Sequence, residues 1–358
     1  MREPVPVRSE MVQTQRLRTH VLVAGPDDGT PVLLLHGNLS TSAFFDQILA
    51  RLPEGVHGIA PDLRGFGGTE PVPIDATRGV HDLADDVAAL VDTLELVTGG
   101  RQLHLIGWSV GAAVAMQYAM DRPAGVASLL LESPVSPYGI GGTRDISGTP
   151  TAPDWAGTGA GTTSAEYVER LSSGDRSSDS PMSPRNILKL YFRPPFQVDP
   201  EREERYLDAV LTTRTGADFF PGDSTAAAGW PGFAPGTRGI MNAISGKYLN
   251  LSAFASITPR PPVIWVRGAD DQTVADQSVV DVAYLGQIGI APGWPGADAF
   301  PPQPMIGQLR ALFDLYVANG GQVREVVFHE CGHSPHVERE SDFLALLAEN
   351  LGAPAPTP

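Results

Sequence analysis

Short runs of consecutive apolar residues recur along the chain: HVLVA (20–24), PVLLLHG (31–37), HGIAPD (57–62), QLHLIG (102–107), ASLLLE (127–132), PVIWVRG from Pro262, and VREVVFHE (323–330). They are strand-length, rich in Val, Leu and Ile, and do not alternate with polar residues. Strands buried on both faces of a parallel sheet read this way. Between them the period changes to that of helices. In 80–96, Leu83, Val87, Leu90, Val91 and Leu94 share one face, and Asp82, Asp85, Asp86 and Asp92 take others. In 305–318, Ile306, Leu309, Phe313 and Tyr316 repeat the pattern. Strands alternating with helices predict βαβ units, and so an α/β protein with a mostly parallel central sheet flanked by helices.

The alternation stops after residue 133. Residues 134–160 are rich in Gly, Pro, Ser and Thr and predict loop. From 164 to 256 come scattered amphipathic segments such as EREERYLDAVL, with aromatics at Tyr167, Tyr191, Phe192, Phe196, Phe219, Phe220, Trp230 and Phe233. Strand-type runs return at Pro262. The division expected is a core of residues 1–133 and 259–358, with 134–258 inserted as a largely helical cap. A second irregular stretch, 285–304, is too long for a plain connection. It suits a pocket wall or an interface, which leaves a homo-oligomer open. The tail APAPTP reads as disordered.

Composition narrows the function classes. The chain has 358 residues, 42% of them apolar, enough for one large core with an insertion. The net charge of −16 argues against nucleic acid or an anionic membrane as partner. No apolar stretch reaches 18 residues, and the first ten residues carry no secretory h-region. The single cysteine, Cys331, excludes an internal disulfide and fits a cytoplasmic setting.

Against that background, GWSVG (107–111) gains weight. Ser109 lies between the strand-like QLHLIG and the helix-like AAVAMQYAM, the setting a nucleophile elbow needs. A serine hydroxyl requires a base. His333, in CGHSPHVE, follows the last strand and can lean over the sheet's C-terminal edge. His336 reads as a helix-start residue and His329 as a strand residue. The base requires a carboxylate. Asp271 in RGADDQTV is preferred over its neighbour Asp270, and Glu132, at the end of LLLE, is the alternative acid. The N–H groups of Asn38, or of Leu39, and of Val110 are the candidate oxyanion donors. His36 is assigned a structural role. Leu39, Trp108, Tyr138 and Trp230 are the candidate substrate contacts. No His/Cys cluster has metal-ligand spacing and no phosphate-binding glycine loop follows the first strand, so neither metal nor organic cofactor is expected.

HGNLS, PDLRGFGGTE (61–70), GWSVG, GADDQTV and GHSPHVE, in this order, resemble the α/β-hydrolase superfamily over about 20–133 and 262–350; the cap is unmatched. The resemblance implies a Ser109–Asp271–His333 triad, with Glu132 where some relatives draw the acid. It also implies a scaffold role for Asp62, Arg64, Gly65 and Gly67. A serine nucleophile disfavours dehalogenase and epoxide hydrolase chemistry, which needs Asp at the elbow. Esterases, lactonases, carbon–carbon bond hydrolases, perhydrolases and amidases remain, as do non-catalytic binding relatives. HGNLSTSAFF lacks the glycine-rich segment usual in carbon–carbon hydrolases. The aromatic cap suits a bulky apolar ester or lactone, with a zearalenone-type macrolactone as one instance.

Overall fold

The computed structural model describes residues 4–353, so the proline-rich tail from residue 354 lies outside the described residues. Eight strands form the central sheet: β1 (Val7–Gln13), β2 (Arg18–Ala24), β3 (Thr30–Leu35), β4 (Val56–Pro61), β5 (Leu103–Trp108), β6 (Val126–Glu132), β7 (Val263–Gly268) and β8 (Val323–Phe328). Their order is β1-β2-β4-β3-β5-β6-β7-β8. β1 and β2 pair antiparallel, as do β2 and β4, and every pairing from β4 to β8 is parallel.

The apolar runs map onto β2 through β8, and β3, β4 and β6 are buried along nearly their whole length. β1 is the strand the apolar pattern does not predict. Its sequence, VRSEMVQ, is mostly polar and mostly exposed, because it is an edge strand held by its ladder to β2.

Helices cover both faces. α1 (His81–Thr93) buries Leu83, Val87, Leu90 and Val91. It differs from expectation at Asp82 and Asp86, which are buried too. The Arg64 guanidinium forks onto Asp86 with two bonds of 2.7 Å, and Arg16 adds a third at 2.7 Å. Buried charge is tolerable here because it is paired and hydrogen-bonded. α2 (Val110–Asp121) runs under the sheet centre with nearly every residue buried. Met305–Ala318 forms α5, whose Phe313 packs on Trp265 of β7 with ring centroids 5.2 Å apart. The cap helices α3 (Ala165–Ser172) and α4 (Pro200–Leu211) precede it, and α6 (Glu340–Asn350) closes the chain.

The segment between β6 and β7 contains α3, α4 and shorter helices and strand pairs, separated by irregular backbone. It is less regular than a helical cap. It bonds to the loops at the C-terminal edge of the sheet: Ile74 N–H to Asp218 O, Ala76 N–H to Thr237 O and Gly67 N–H to Thr212 Oγ1, while Leu251 N–H to Pro137 O ties its own two ends together. The irregular 285–304 stretch folds against this insertion. Trp294 and Trp230 line a small separate apolar cluster with Val282 and Phe300.

Candidate active site

Ser109 sits between β5 and α2 with φ 55° and ψ −116°, a conformation that L-residues avoid. Crowding explains the two glycines around it. A Cβ on Gly107 would stand 2.5 Å from Ala112 Cα, and one on Gly111 would stand 2.0 Å from Leu35 O. Only glycine lets β3, β5 and α2 approach this closely. The turn therefore lifts Ser109 out of the strand line and aims the N-terminus of α2 at its hydroxyl.

The next loops carry the candidate base and acid. His333 follows β8, and its Nδ1 lies 2.8 Å from Asp271 Oδ2 on the loop after β7. The other carboxylate oxygen, Oδ1, accepts the N–H groups of Thr273 (2.7 Å) and Val274 (3.0 Å), which fixes the carboxylate's orientation. With Nδ1–H donated to Asp271, Nε2 keeps the lone pair a general base needs. No hydrogen bond joins Ser109 Oγ to His333 among the described residues. Such bonds commonly tighten only when substrate binds.

Asp270 does not compete for the histidine. It turns outward to Arg193, 2.8 Å away. Glu132, the alternative acid, makes no hydrogen bond to His333 among the described residues. Its Oε1 accepts both the backbone N–H and Nδ1 of His336, each at 2.8 Å, in a fully buried pair. His336 stands three residues beyond His333, in the short helix Pro335–Glu338, so the end of β6 serves that ring instead.

The candidate oxyanion donors lie at two loop ends. The Gly37 carbonyl is held by His36 Nδ1 (2.7 Å) and Ser40 Oγ (2.8 Å). In a planar trans peptide the Asn38 N–H must point the opposite way. Neither that N–H nor the N–H of Val110 donates to another protein group among the described residues. A Cβ placed on Gly37 would lie 3.2 Å from Ser109 Cβ, so the two loop ends meet at the nucleophile. His36 Nε2 accepts the Leu63 N–H at 2.8 Å, and burial pushes its pKa below the usual histidine range. It is a neutral tie between the loops after β3 and β4. Asp62 gathers Ser42, Gly68 and His20 on the neighbouring loop.

The candidate substrate contacts separate. Leu39 is buried beside the site in a left-handed conformation (φ 52°). Trp108 is 1% exposed and donates Nε1 to His333 O at 2.8 Å, so it packs behind the elbow rather than facing a ligand. Tyr138 lies with its ring against Gly148 and makes no bond or ring contact to Ser109 or His333 among the described residues. Trp230 packs on Phe300 at 4.8 Å and donates to Pro292 O, in the satellite cluster. Its aromatic character stabilises the insertion against the 285–304 stretch.

Two groups escaped the sequence reading. Tyr191 of the insertion accepts the His333 N–H on its backbone oxygen at 3.0 Å and sits edge-on to Trp108. Glu338 accepts Gly332 N–H (2.9 Å) and Arg193 N–H (2.8 Å), bridging the base loop to the insertion. No spacing rule marks either residue, since each joins the His333 loop to a segment of the insertion more than 140 residues away in sequence. Ser109 is 7% and His333 2% exposed, so both side chains are largely withdrawn from bulk water.

Burial pushes the Glu338 carboxyl up to about 7. Raised above the ordinary carboxylate value, it binds more protons folded than unfolded between about pH 4.5 and 7, so its contribution to stability falls as pH rises through that window. Urea unfolding of wild type and Glu338→Gln at pH 5 and pH 8 checks this. The wild type's advantage over the variant is expected to be larger at pH 5. An advantage that grows toward pH 8 would contradict the assignment.

Known proteins supply the wider frame. Over 113 residues the chain is 41% identical to a Variovorax paradoxus protein named "Putative carbamate hydrolase RutD", covering 31% of this chain and 41% of that protein. Over 185 residues it is 27% identical to carboxylesterase YbfK of Bacillus subtilis, covering 51% of this chain and 58% of that protein. The chain thus spans under two thirds of either relative. The esterase EaEST of Exiguobacterium antarcticum is alike in fold, with a TM-score of 0.57 over 97% of this chain and 100% of that one, at 17% identity. No helix among the described residues is long and apolar enough to cross a membrane. The model of the alpha/beta hydrolase family matches residues 32–346, across core and insertion alike, and the chain belongs to that family.

Proposed function

We propose that the protein is a serine hydrolase that cleaves a carboxylic ester or lactone of a fairly bulky, apolar small molecule through an acyl-enzyme. The observation that carries this reading is the pairing of His333 with Asp271 at 2.8 Å on the loops beside a strained Ser109. Ser109 Oγ attacks the carbonyl carbon while His333 Nε2 takes its proton. The N–H groups of Asn38 and Val110 hold the oxyanion. The imidazolium, stabilised by Asp271, then protonates the leaving alkoxide. A water deprotonated by His333 attacks the acyl carbonyl, and Ser109 leaves with the proton restored.

Ester cleavage is favoured over epoxide opening by the residue at the elbow, since an alkyl-ester intermediate needs a carboxylate there. The macrolactone instance draws on the aromatic insertion and, secondarily, on Glu132 as the alternative acid. With that carboxylate committed to His336, it keeps no residue of its own and stands as one substrate among others. A panel of p-nitrophenyl esters of increasing acyl length, with macrocyclic and small lactones, tests the reading. Turnover that rises with acyl bulk is the expected result. Absence of turnover on every ester and lactone, together with no labelling by a fluorophosphonate, would overturn it.

A further inference from the structure

We propose that Tyr191, carried by the insertion, is a positioning residue for hydrolysis that holds the backbone of residues 38–40 in the conformation an oxyanion hole needs. The proposal rests on the serine-hydrolase reading and adds to it a residue outside the core. The Tyr191 hydroxyl donates to the carbonyl of Asn38 (3.0 Å) and, more weakly, to that of Leu39 (3.3 Å). Its backbone oxygen accepts the His333 N–H at 3.0 Å. One residue thus touches both the loop that offers the oxyanion donor and the loop that carries the base.

Peptide planarity turns these contacts into a constraint. The Gly37 carbonyl is held by His36 and Ser40, and the next two carbonyls by Tyr191. With three successive carbonyls fixed, the N–H groups opposite them have fixed directions. The segment needs such holding, because Leu39 is at φ 52°, where a Leu side chain is strained and relaxes unless its surroundings forbid it. Burial pushes the phenol well above its ordinary pKa, so it remains a donor. The ring is held in turn by Trp108, edge-on at 5.5 Å, and the chain two residues on is pinned by Arg193, through its N–H to Glu338 and its guanidinium to Asp270.

Tyr191→Phe in the full chain separates positioning from packing, since the ring and its backbone bond remain. Two readouts are needed. Hydrogen–deuterium exchange of peptides spanning 36–43 is expected to quicken severalfold, with peptides of α2 unaltered. On an activated ester, kcat is expected to fall on the order of tenfold, less than the ~10²–10³ lost with a direct oxyanion donor, with KM nearly constant. Unaltered exchange at 36–43 overturns the proposal whether or not the chain proves to be an esterase. Faster exchange with wild-type kcat, or a loss confined to KM, also overturns it. A wild type that neither turns over esters nor takes a fluorophosphonate overturns the hydrolase reading itself, while the exchange result still reports whether the hydroxyl holds the loop.

Discussion

Ser109→Ala is expected to lower kcat on an activated ester by roughly 10^6-fold and to abolish fluorophosphonate labelling, because the variant has no atom to form the acyl bond. KM should change little, since the hydroxyl touches only the reacting carbon. Stability should also change little: the Ser109 side chain makes no hydrogen bond among the described residues, and alanine occupies the same strained backbone at φ 55°. Ser109→Gly sharpens the prediction. Glycine reaches that conformation without the Cβ penalty, so it should be as inactive as Ala yet more stable than wild type by about 1 kcal/mol in urea unfolding. A gain in stability with total loss of turnover is the signature of strain kept for function. A Ser109→Ala protein that retains more than a hundredth of wild-type kcat would mean that another nucleophile operates.

The second large effect concerns the acid. Asp271→Asn is expected to reduce kcat by about 10^4-fold with the fold intact. Asn offers its amide to Nδ1, which favours the wrong tautomer and leaves the imidazolium without a counter-charge. Glu132→Gln should leave kcat within about tenfold, since its partner is His336 and not the base. It should instead lower stability by about 1–3 kcal/mol, as the hydrogen bonds of a fully buried carboxyl to His336 are disturbed. Steady-state kinetics and urea unfolding on the two variants separate these outcomes. The reverse ranking of the kinetic losses would move the acid to the end of β6.

How much of this was legible in sequence follows from what each residue touches. β3 to β7 were legible because burial on two faces forces unbroken apolar runs; β2 and β8 are only partly buried, and their Val residues mark them. β1 was not, because an edge strand gains its order from the partner ladder and carries no apolar signature. The Ser109 turn was legible because the crowding around it demands glycines at fixed offsets. The choice between Asp271 and Glu132 was not, since chain order puts both at strand ends and only the direction of the two imidazoles separates them. Trp108 and Trp230 show the limit from the other side. An aromatic near a motif, or in an insertion, carries equal weight in sequence whether it lines a cavity or fills a core. Here both indoles donate to backbone carbonyls and pack inward.

The bond network through Tyr191, Arg193 and Glu338 bears on how this chain tolerates redesign. These bonds tie the insertion to the loop that carries His333, beside a serine only 7% exposed, so the segment packed nearest the site also supports that loop. Selectivity and turnover are therefore not separate modules. A chimera that replaces residues 134–258 with the insertion of a relative, intending only a new acyl preference, would also remove the phenol behind Asn38 and the backbone acceptor for His333. Swapped variants should recover speed only when a tyrosine is restored at the equivalent of position 191, which makes that residue the natural boundary marker for any graft.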